Sequence, residues 1–270
     1  MTSHLDRAAS VTVVALGLAF AVFFVVPFVG LVTRALEEPD TWELLRASQV
    51  RQALTLSLWT STVTVALALL AGTPVAYLLA RVSFPGRSIV DALIDLPIVL
   101  PPTVAGVALL TAFGRRGIVG EPIEELTGFT FGFRTTAVIM AQLLVAAPFY
   151  IRAARSGFES VDVQQERVAY TLGASKVRTF FRITVPQASP ALLAGVVLCW
   201  ARAMGELGAT LIFAGNFEGK TQTMPLAIIS AFEGSTLGVA GAIALSLILL
   251  STALAVLVCF RLATGRGGRQ

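Results

Sequence analysis

The sequence predicts an all-α, polytopic membrane protein with about six transmembrane helices and with both termini in the cytoplasm. Apolar residues make up 56% of the chain and charged residues only 13%, whereas about 25% of residues are charged in soluble domains. The mean hydropathy is +0.81. A transmembrane helix needs about 20 apolar residues. Six apolar runs approach or exceed this length: 10–32, 53–80, 89–113, 136–150, 190–213 and 237–262.

The first two runs are long enough to span a bilayer, and the first is too long to be the core of a cleaved signal peptide. The third contains Pro97, Pro101 and Pro102, which prevent a regular helix. Because lipid does not satisfy the backbone groups that such a break frees, we expect this run to face the bundle interior. It also carries Asp91 and Asp95, a like-charged pair that inner-loop arginines are expected to neutralise.

The fourth run is short but has apolar flanks, and the sixth is long and uninterrupted. The fifth carries Arg202 and Glu206, which lie four residues apart on one predicted helix face and are spaced to form an ion pair. Charges inside a span face a cavity or another helix. The pair therefore either neutralises itself within the bundle or lines a pathway.

Orientation follows from the basic residues, because cytoplasmic loops retain an excess of Lys and Arg. In a six-span topology that excess lies on the side of both termini and of the long loop 152–186. The opposite side is close to neutral. Both termini and this loop are therefore predicted to be cytoplasmic.

Several kinds of site are excluded by the residues available. The single histidine, His4, lies in the polar N-terminal tail, and Cys199 and Cys259 lie within apolar runs, so neither a His-based nor a Cys-based site is expected. Segment 215–221 ends like a phosphate loop, but only three residues separate Gly215 and Gly219 and no strand is predicted before them. The basic residues flank spans and form no continuous basic helix, which argues against nucleic-acid binding.

The most informative polar segment is 163–186. Val168, Leu172, Phe180 and Phe181 recur at helical spacings on either side of Gly173, which predicts a helix, a glycine bend and a second amphipathic helix. An exposed apolar ridge on such helices requires a covering surface. Either a protein partner or lipid headgroups at the membrane interface would serve.

This segment resembles the signature loop of ABC importer permeases: a Glu-Ala-Ala triplet, three residues, a glycine, nine residues and Ile-x-Leu-Pro. Here the triplet position is 167–169 with the acid one place earlier, the glycine is Gly173, and 183–186 closes the motif. In that family the loop is the coupling helix that fits a groove on a cytoplasmic ATPase. The resemblance implies this role for Glu166, Arg167, Val168, Ala169, Gly173, Ala174, Ser175, Ile183 and Pro186.

The resemblance extends over about 50–261 and is closest to the molybdate and tungstate permeases, through segments 72–81, 95–106, 205–210 and 221–226. It implies a multi-pass protein of a prokaryotic plasma membrane that imports such oxyanions by alternating access. The implied partners are a second permease copy in a homodimer, a cytoplasmic ABC ATPase dimer that holds ATP and Mg, and an extracytoplasmic oxyanion-binding protein. The chain itself is expected to bind no cofactor and to have no catalytic site.

Two alternatives remain open at this stage. Sulfate and thiosulfate permeases share much of the pattern, so the resemblance indicates the class of oxyanion but does not distinguish these anions from molybdate. A protein of a different class, a helical membrane scaffold that recruits a soluble partner without transport, would also present a basic loop.

A dianion that crosses a bundle loses its hydration, so its pathway is expected to offer small residues, hydroxyls and freed backbone N–H groups. The third and fifth runs supply them, and the predicted pathway residues are Pro101, Thr103, Gly106, Arg202, Glu206, Gly208 and Thr210. No dense arginine cluster is visible in the sequence. The predicted organisation is an N-terminal helix and outer connection (1–51), a permease core (52–263) with a coupling loop near 157–186, and a cytoplasmic tail (264–270).

Overall fold

The computed structural model describes residues 2–38 and 41–265, which contain helices and turns and no strand. In chain order the helices are α1 (Thr2–Glu37), α2 (Thr41–Leu44), α3 (Ser48–Arg81), α4 (Arg87–Val99), α5 (Pro102–Phe113), α6 (Gly120–Thr127), α7 (Thr135–Ser160), α8 (Val163–Thr171), α9 (Lys176–Thr179), α10 (Val185–Met204), α11 (Gly208–Ala214), α12 (Met224–Phe232) and α13 (Gly238–Gly265). A π-helical turn, Phe180–Thr184, joins α9 to α10.

Five helical segments in the described part of the chain are long and apolar enough to cross a membrane: Val11–Glu37, Ser48–Arg81, Thr135–Ser160, Lys176–Met204 and Gly238–Phe260. The pair α4 and α5 is a sixth candidate, bent by 118° at its break. The prediction of an all-α membrane protein with about six spans is confirmed. Part of the predicted tail, 266–270, lies outside the described residues, as does the side chain of His4.

The third apolar run is two helices rather than one. Its break lies at Leu100 and Pro101, whose backbones are extended with ψ of 141° and 135°. A proline disfavours the helical conformation of the residue before it, and two consecutive prolines impose this twice. Pro102 then occupies the first turn of α5, where a missing N–H costs nothing.

The fifth run also differs from the prediction of one helix over 190–213. α10 ends at Met204, and a short break over Gly205–Leu207 precedes α11. At its other end the helical segment begins earlier, at Lys176, because α9, the π-helical turn and α10 follow one another directly. The fourth run likewise extends to Ser160, so Arg152 and Arg155 belong to α7 and not to the following loop.

The centre of the bundle is formed by α3, α7 and α10. Its buried residues are largely small, as is usual where membrane helices approach closely. Tyr150 and Phe158 are the largest side chains there, and the hydroxyls of Tyr150 and Thr73 lie 2.6 Å apart. A second cluster joins α5, α7 and α11. The apolar side chains of α1 are largely exposed, as expected of a helix that faces lipid.

The two ends of the bundle are defined by α7. Its C-terminus at Ser160 leads directly to α8, and we call this the loop end. Its N-terminus at Thr135 lies one helix length away, about 39 Å for 26 residues, at what we call the far end. Lys220 also lies at the far end, because its carbonyl accepts a 3.0 Å hydrogen bond from the Thr135 hydroxyl.

We predict that the loop end is cytoplasmic. In a background with Cys199 and Cys259 replaced by alanine, a cysteine at Arg178 should react with an impermeant maleimide only in inside-out vesicles. A cysteine at Lys220 should react only from the opposite side, because the excess of basic residues retains the loop end inside. Both positions are exposed. Labelling of both cysteines from one side would contradict the six-span arrangement.

Candidate functional site

The α8 segment is held by side-chain caps at two helix N-termini. The Asp162 carboxylate accepts a 2.8 Å hydrogen bond from the backbone N–H of Gln164 at the start of α8. The Ser175 hydroxyl accepts a 3.3 Å bond from the N–H of Arg178 at the start of α9. Such caps satisfy N–H groups that lack a partner within the helix. The predicted helix, bend and helix are therefore present, although the second helix continues into α10.

Gly173 makes the bend. Its φ is +82°, a left-handed conformation that glycine adopts without strain. Its N–H donates to the carbonyl of Tyr170 (3.0 Å), and the N–H of Ala174 donates to that of Ala169 (2.9 Å). These two bonds close the C-terminus of α8. An added Cβ at Gly173 would have open space around it, so the position requires a backbone conformation rather than a close approach.

An apolar ridge, which we define as Val168, Leu172, Val177 and Phe181, projects from this segment. All four side chains are more than half exposed, and Leu172 is 82% exposed. Exposed apolar patches of this kind mark surfaces that bind a partner or a membrane. Phe180, in contrast, points inward and packs edge-to-face on Tyr77, with ring centroids 5.1 Å apart.

The predicted coupling residues divide between this surface and the interior. Ala174 and Ile183 are half-buried, and the exposed members are Arg167, Val168, Gly173, Ser175 and Pro186. Glu166 and Ala169 are buried, which the sequence motif did not distinguish. Ile183 and Pro186 belong to the π-helical turn and to α10, not to a separate loop helix. Their coupling role stays a prediction.

Glu166 forms a buried ion pair with Arg81, the last residue of α3. The Arg81 Nη2 and Glu166 Oε1 atoms are 3.0 Å apart, and both side chains are at least 87% buried. The same carboxylate oxygen accepts a 2.7 Å bond from the Thr184 hydroxyl, and the same guanidinium nitrogen donates to the Val161 carbonyl at 2.9 Å. This network, Arg81–Glu166–Thr184, joins the end of α3, α8 and the end of the π-helical turn that leads into α10.

The sequence did not predict this pairing, because Arg81 and Glu166 are 85 residues apart. The only sign of it was an arginine at the end of an apolar run, which is equally explained as a topology signal.

A second group of charges joins α4 to α7 near the loop end. Arg155 pairs with Asp91, and the Arg152 Nε atom lies 2.8 Å from Asp95. The expected pairing of the two aspartates with arginines is confirmed, but the arginines lie on α7 and not in the following loop. Arg155 also pairs with Glu159 on its own helix at 2.8 Å. These contacts fix the first half of the broken span against the central bundle.

Two of the predicted pathway residues, Gly106 and Gly208, lie where α5 packs on α11. A Cβ on Gly106 would lie 2.8 Å from the Cβ of Ile212, and one on Gly208 would lie 3.0 Å from that of Pro102. Both distances are shorter than an ordinary contact, so the two backbones approach as closely as glycine permits. The breaks at Pro101 and at Gly205–Leu207 therefore adjoin one another.

The hydroxyls predicted for the pathway lie in different surroundings. Thr103 is exposed, whereas Thr210 is fully buried within the subunit. The Thr210 hydroxyl has no hydrogen-bond partner among the described residues. In this conformation only the Thr103 side chain, and not that of Thr210, is accessible from the surface. The pathway role of both residues stays a prediction.

Arg202 and Glu206 form the predicted ion pair, although the helix ends between them. The Arg202 Nη1 and Glu206 Oε2 atoms are 3.4 Å apart. The Glu206 Oε1 atom accepts a 2.8 Å bond from the Ala209 N–H, so this carboxylate also caps the first turn of α11. Glu206 is fully buried and Arg202 partly exposed. The pair thus stabilises the break, while its role in a pathway is untested.

Three basic residues that are distant in sequence line one cavity at the far end. The cavity has a volume of about 430 Å³ and is lined by Arg115, Arg134 and Lys220 together with Gly114, Thr130, Gly132 and Phe133. The sequence suggested no dense basic cluster, because the three residues lie in separate connections. Folding brings them together.

Neither a metal nor a nucleotide site is apparent in the part of the chain that the structure describes. No group of three or more His, Cys, Asp or Glu side chains there is placed to hold a metal ion. Segment 215–221 follows helix α11 rather than a strand, and its Thr221 hydroxyl bonds to the backbone of Gly215 and Phe217. This differs from the setting of a phosphate loop.

Comparisons with known proteins identify similar chains. A family model described as "Binding-protein-dependent transport system inner membrane component" matches residues 68–261. The chain is 39% identical over 222 residues to the Molybdenum transport system permease protein ModB of Escherichia coli (strain K12), covering 81% of this chain and 96% of the relative. It is 36% identical over 253 residues to the Molybdate/tungstate transport system permease protein WtpB of Pyrococcus abyssi, covering 93% and 94%.

Solved structures share the fold at low identity. A chain of a bacterial alginate ABC transporter, in complex with an alginate pentasaccharide-bound periplasmic protein, superposes with a TM-score of 0.76 at 16% identity and covers 98% of this chain and 96% of that chain. A chain of the inward-facing MetNI methionine ABC transporter gives a TM-score of 0.61 at 16% identity, covering 86% and 99%.

We predict that the Arg81–Glu166 pair stabilises the subunit and that its two members depend on each other. Arg81→Met or Glu166→Leu should each lower the free energy of unfolding by about 3 kcal/mol, because each leaves a buried polar partner unpaired. The double variant Arg81→Met/Glu166→Leu should cost clearly less than the sum of the two. Thermal unfolding of the purified protein in detergent measures this.

Arg152→Met is the matched control, because it breaks an ion pair in which Arg152 is 61% exposed. It should cost no more than about 1 kcal/mol. Additive losses from Arg81→Met and Glu166→Leu, or an equal loss from Arg152→Met, would show that the buried pair has no special role.

Proposed function

The chain belongs to the family of binding-protein-dependent transport system inner membrane components, the permease subunits of ABC importers, and we propose that it carries molybdate, tungstate or a similar tetrahedral oxyanion into the cell. It is a multi-pass protein of the prokaryotic plasma membrane. The observation that carries the substrate proposal is the identity of 36–39% to molybdenum and molybdate/tungstate permeases, over 94–96% of their lengths.

The apolar ridge, which extends from α8 to the π-helical turn, is the proposed contact with a cytoplasmic ABC ATPase. Its four exposed apolar side chains lie on or directly beside the capped helices α8 and α9, so the surface is preorganised, which reduces the entropy lost on binding. ATP and Mg would be held by that partner. Two copies of the permease, two ATPases and an extracytoplasmic oxyanion-binding protein would complete the importer.

Motion of α8 would reach the membrane through two connections. The Arg81–Glu166–Thr184 network connects α8 to the end of α3 and to the π-helical turn that continues directly into α10. Helix α10 then continues to Met204. Met204 lies directly before the break that precedes α11, which adjoins the break that precedes α5. Displacement of α8 by a closing ATPase would therefore shift the two adjoining breaks. This coupling is the proposed basis for alternating access.

The adjoining breaks of the third and fifth spans are the proposed conduit. Backbone groups freed at a break can replace part of the hydration of an anion without binding it tightly. Pro101, Thr103, Gly106, Gly208 and Thr210 lie in or beside these breaks. Because Thr210 is buried here, its hydroxyl would face the anion only in another state of the transport cycle.

Uptake by the reconstituted importer tests the proposal. The permease, its ATPase and its binding protein in liposomes should accumulate molybdate and tungstate when ATP and Mg are supplied to the ATPase side. Sulfate uptake with no molybdate uptake would instead identify a sulfate permease. Capture of the ATPase with no uptake of any oxyanion would support a scaffold and refute transport.

Within this experiment, Leu172→Asp should abolish capture of the ATPase, because it places a charge in the apolar ridge. Leu126→Asp is the matched control, since Leu126 is a leucine of similar exposure, 85% against 82%, on α6 near the far end. The control should retain capture. Equal capture by both variants would exclude the ridge as the ATPase contact.

We further predict that coupling depends on the backbone conformation at Gly173. Gly173→Asn should retain most uptake, because Asn tolerates a positive φ, whereas Gly173→Val should reduce uptake about tenfold or more. The assay is ATP-driven uptake normalised to the amount of permease in the membrane, which should not change.

Gly234→Val is the control for strain alone, because Gly234 has a φ of +101° and equally open surroundings in another turn. It should affect uptake much less than Gly173→Val. Full uptake by Gly173→Val would contradict a requirement for this bend.

A further inference from the structure

The basic cavity at the far end is built from three connections that are separate in sequence. Arg115 follows α5, Arg134 precedes α7, and Lys220 lies between α11 and α12. Positive groups repel one another unless something anionic lies between them. Their convergence on a single cavity of about 430 Å³ therefore needs an explanation.

The backbone around the cavity is fixed by specific contacts. Phe133 has a φ of +58°, the only positive φ of a residue other than glycine among those described. Its N–H donates to the Phe213 carbonyl at 3.3 Å, which holds it in this strained conformation. The next residue, Arg134, is the N-cap of α7, and its guanidinium carbon lies 5.1 Å from the centroid of the Phe129 ring.

Lys220 is tied to the same place through its backbone, since its carbonyl accepts the bond from the Thr135 hydroxyl. The first turn of α7 thus positions two of the three basic residues. The N-terminus of α7 also adds a partial positive charge to the cavity, as helix N-termini do in general.

The charges of the cavity are not balanced. The Arg115 Nε atom pairs with Glu124 at 2.7 Å. Among the described residues, Arg134 and Lys220 have no carboxylate within ion-pair distance. Three positive side chains thus share one negative partner, which leaves an excess of positive charge for a ligand.

The cavity also adjoins the two broken spans. Gly114 ends α5 and lines the cavity, and Phe213 of α11 holds Phe133 at its edge. Helices α5 and α11 are those whose breaks form the proposed conduit. An anion in the cavity would therefore lie at the end of the conduit that is distant from α8.

We propose that this cavity is a low-affinity binding site for a tetrahedral oxyanion dianion, contacted by Arg115, Arg134 and Lys220. Arginine and lysine bind such anions through charge-assisted hydrogen bonds. Because the basic side chains are exposed to solvent and to salt, the affinity is weak, which suits a site that must release its ion. Its role as the entry chamber of the conduit rests on the proposed function, whereas the binding itself does not.

The test measures oxyanion binding without the binding protein. The permease–ATPase complex in nanodiscs of neutral lipid is equilibrated with radiolabelled molybdate by dialysis at low salt. The expected dissociation constant is roughly millimolar, and binding should weaken as the salt concentration rises. Arg134→Gln and Lys220→Gln should each weaken binding about tenfold, since each removes a charge-assisted contact.

Arg116→Gln is the matched control, because Arg116 is an exposed neighbour of Arg115 that does not line the cavity. It should bind molybdate as the unmodified complex does. Absence of binding at millimolar molybdate, or equal weakening by all three substitutions, would overturn the proposal.

A further measurement separates a bound oxyanion from a carboxylate of a docking protein. If Arg134→Gln and Lys220→Gln left molybdate binding unchanged but abolished stimulation of ATP hydrolysis by the binding protein, the cavity would be a docking surface and the proposal would be wrong. Failure of the two proposals can also be distinguished. Uptake without cavity binding refutes the cavity alone, and cavity binding without uptake refutes transport alone.

Discussion

A lipid bilayer offers no hydrogen-bond partner to the backbone at a broken helix, and this subunit breaks two of its candidate spans. The breaks are placed against each other. Gly208, at the start of α11, contacts Pro102, at the start of α5, and Glu206 caps the turn that follows the second break. Protein therefore surrounds the irregular backbone that lipid would not tolerate. The packing of α5, α7 and α11 is arranged around this requirement.

The remaining helices connect this region to the surface at the loop end. Small residues allow α3, α7 and α10 to pack closely, so they are suited to move as a unit. Glu166 then binds α8, through a single carboxylate, to the end of α3 and to the turn that leads into α10. A buried ion pair adds little stability over a well-packed apolar pair, but it requires a specific geometry. Its value here lies in fixing the position of α8 relative to the bundle.

Composition and the spacing of apolar runs were sufficient to predict an all-α membrane protein with about six spans. The prolines at 101 and 102 predicted the first break because their effect is local. The second break was missed, since a glycine within an apolar run does not by itself end a helix.

Features that depend on tertiary contacts could not be predicted. The loop motif indicated a coupling surface but not that Glu166 points inward to Arg81, because helix spacing does not reveal which face a distant residue will cover. For the same reason, the sequence could not show that Thr210 is buried and Thr103 exposed, because packing alone decides this. The basic cavity combines residues from three connections, and the left-handed Phe133 that shapes its edge has no sequence signature.

The apolar ridge also has a consequence for how much of this protein a cell maintains. Exposed apolar side chains such as the four of the ridge are recognised by chaperones and proteases in unassembled subunits. Degradation then lowers the abundance of the subunits that are in excess. A copy that lacks a partner to cover Leu172 and its neighbours would thus be removed selectively. If the ridge is the proposed contact with the ATPase, removal of uncovered copies would adjust the amount of permease to the amount of ATPase after translation. The two proteins would then not need to be synthesised in matched amounts.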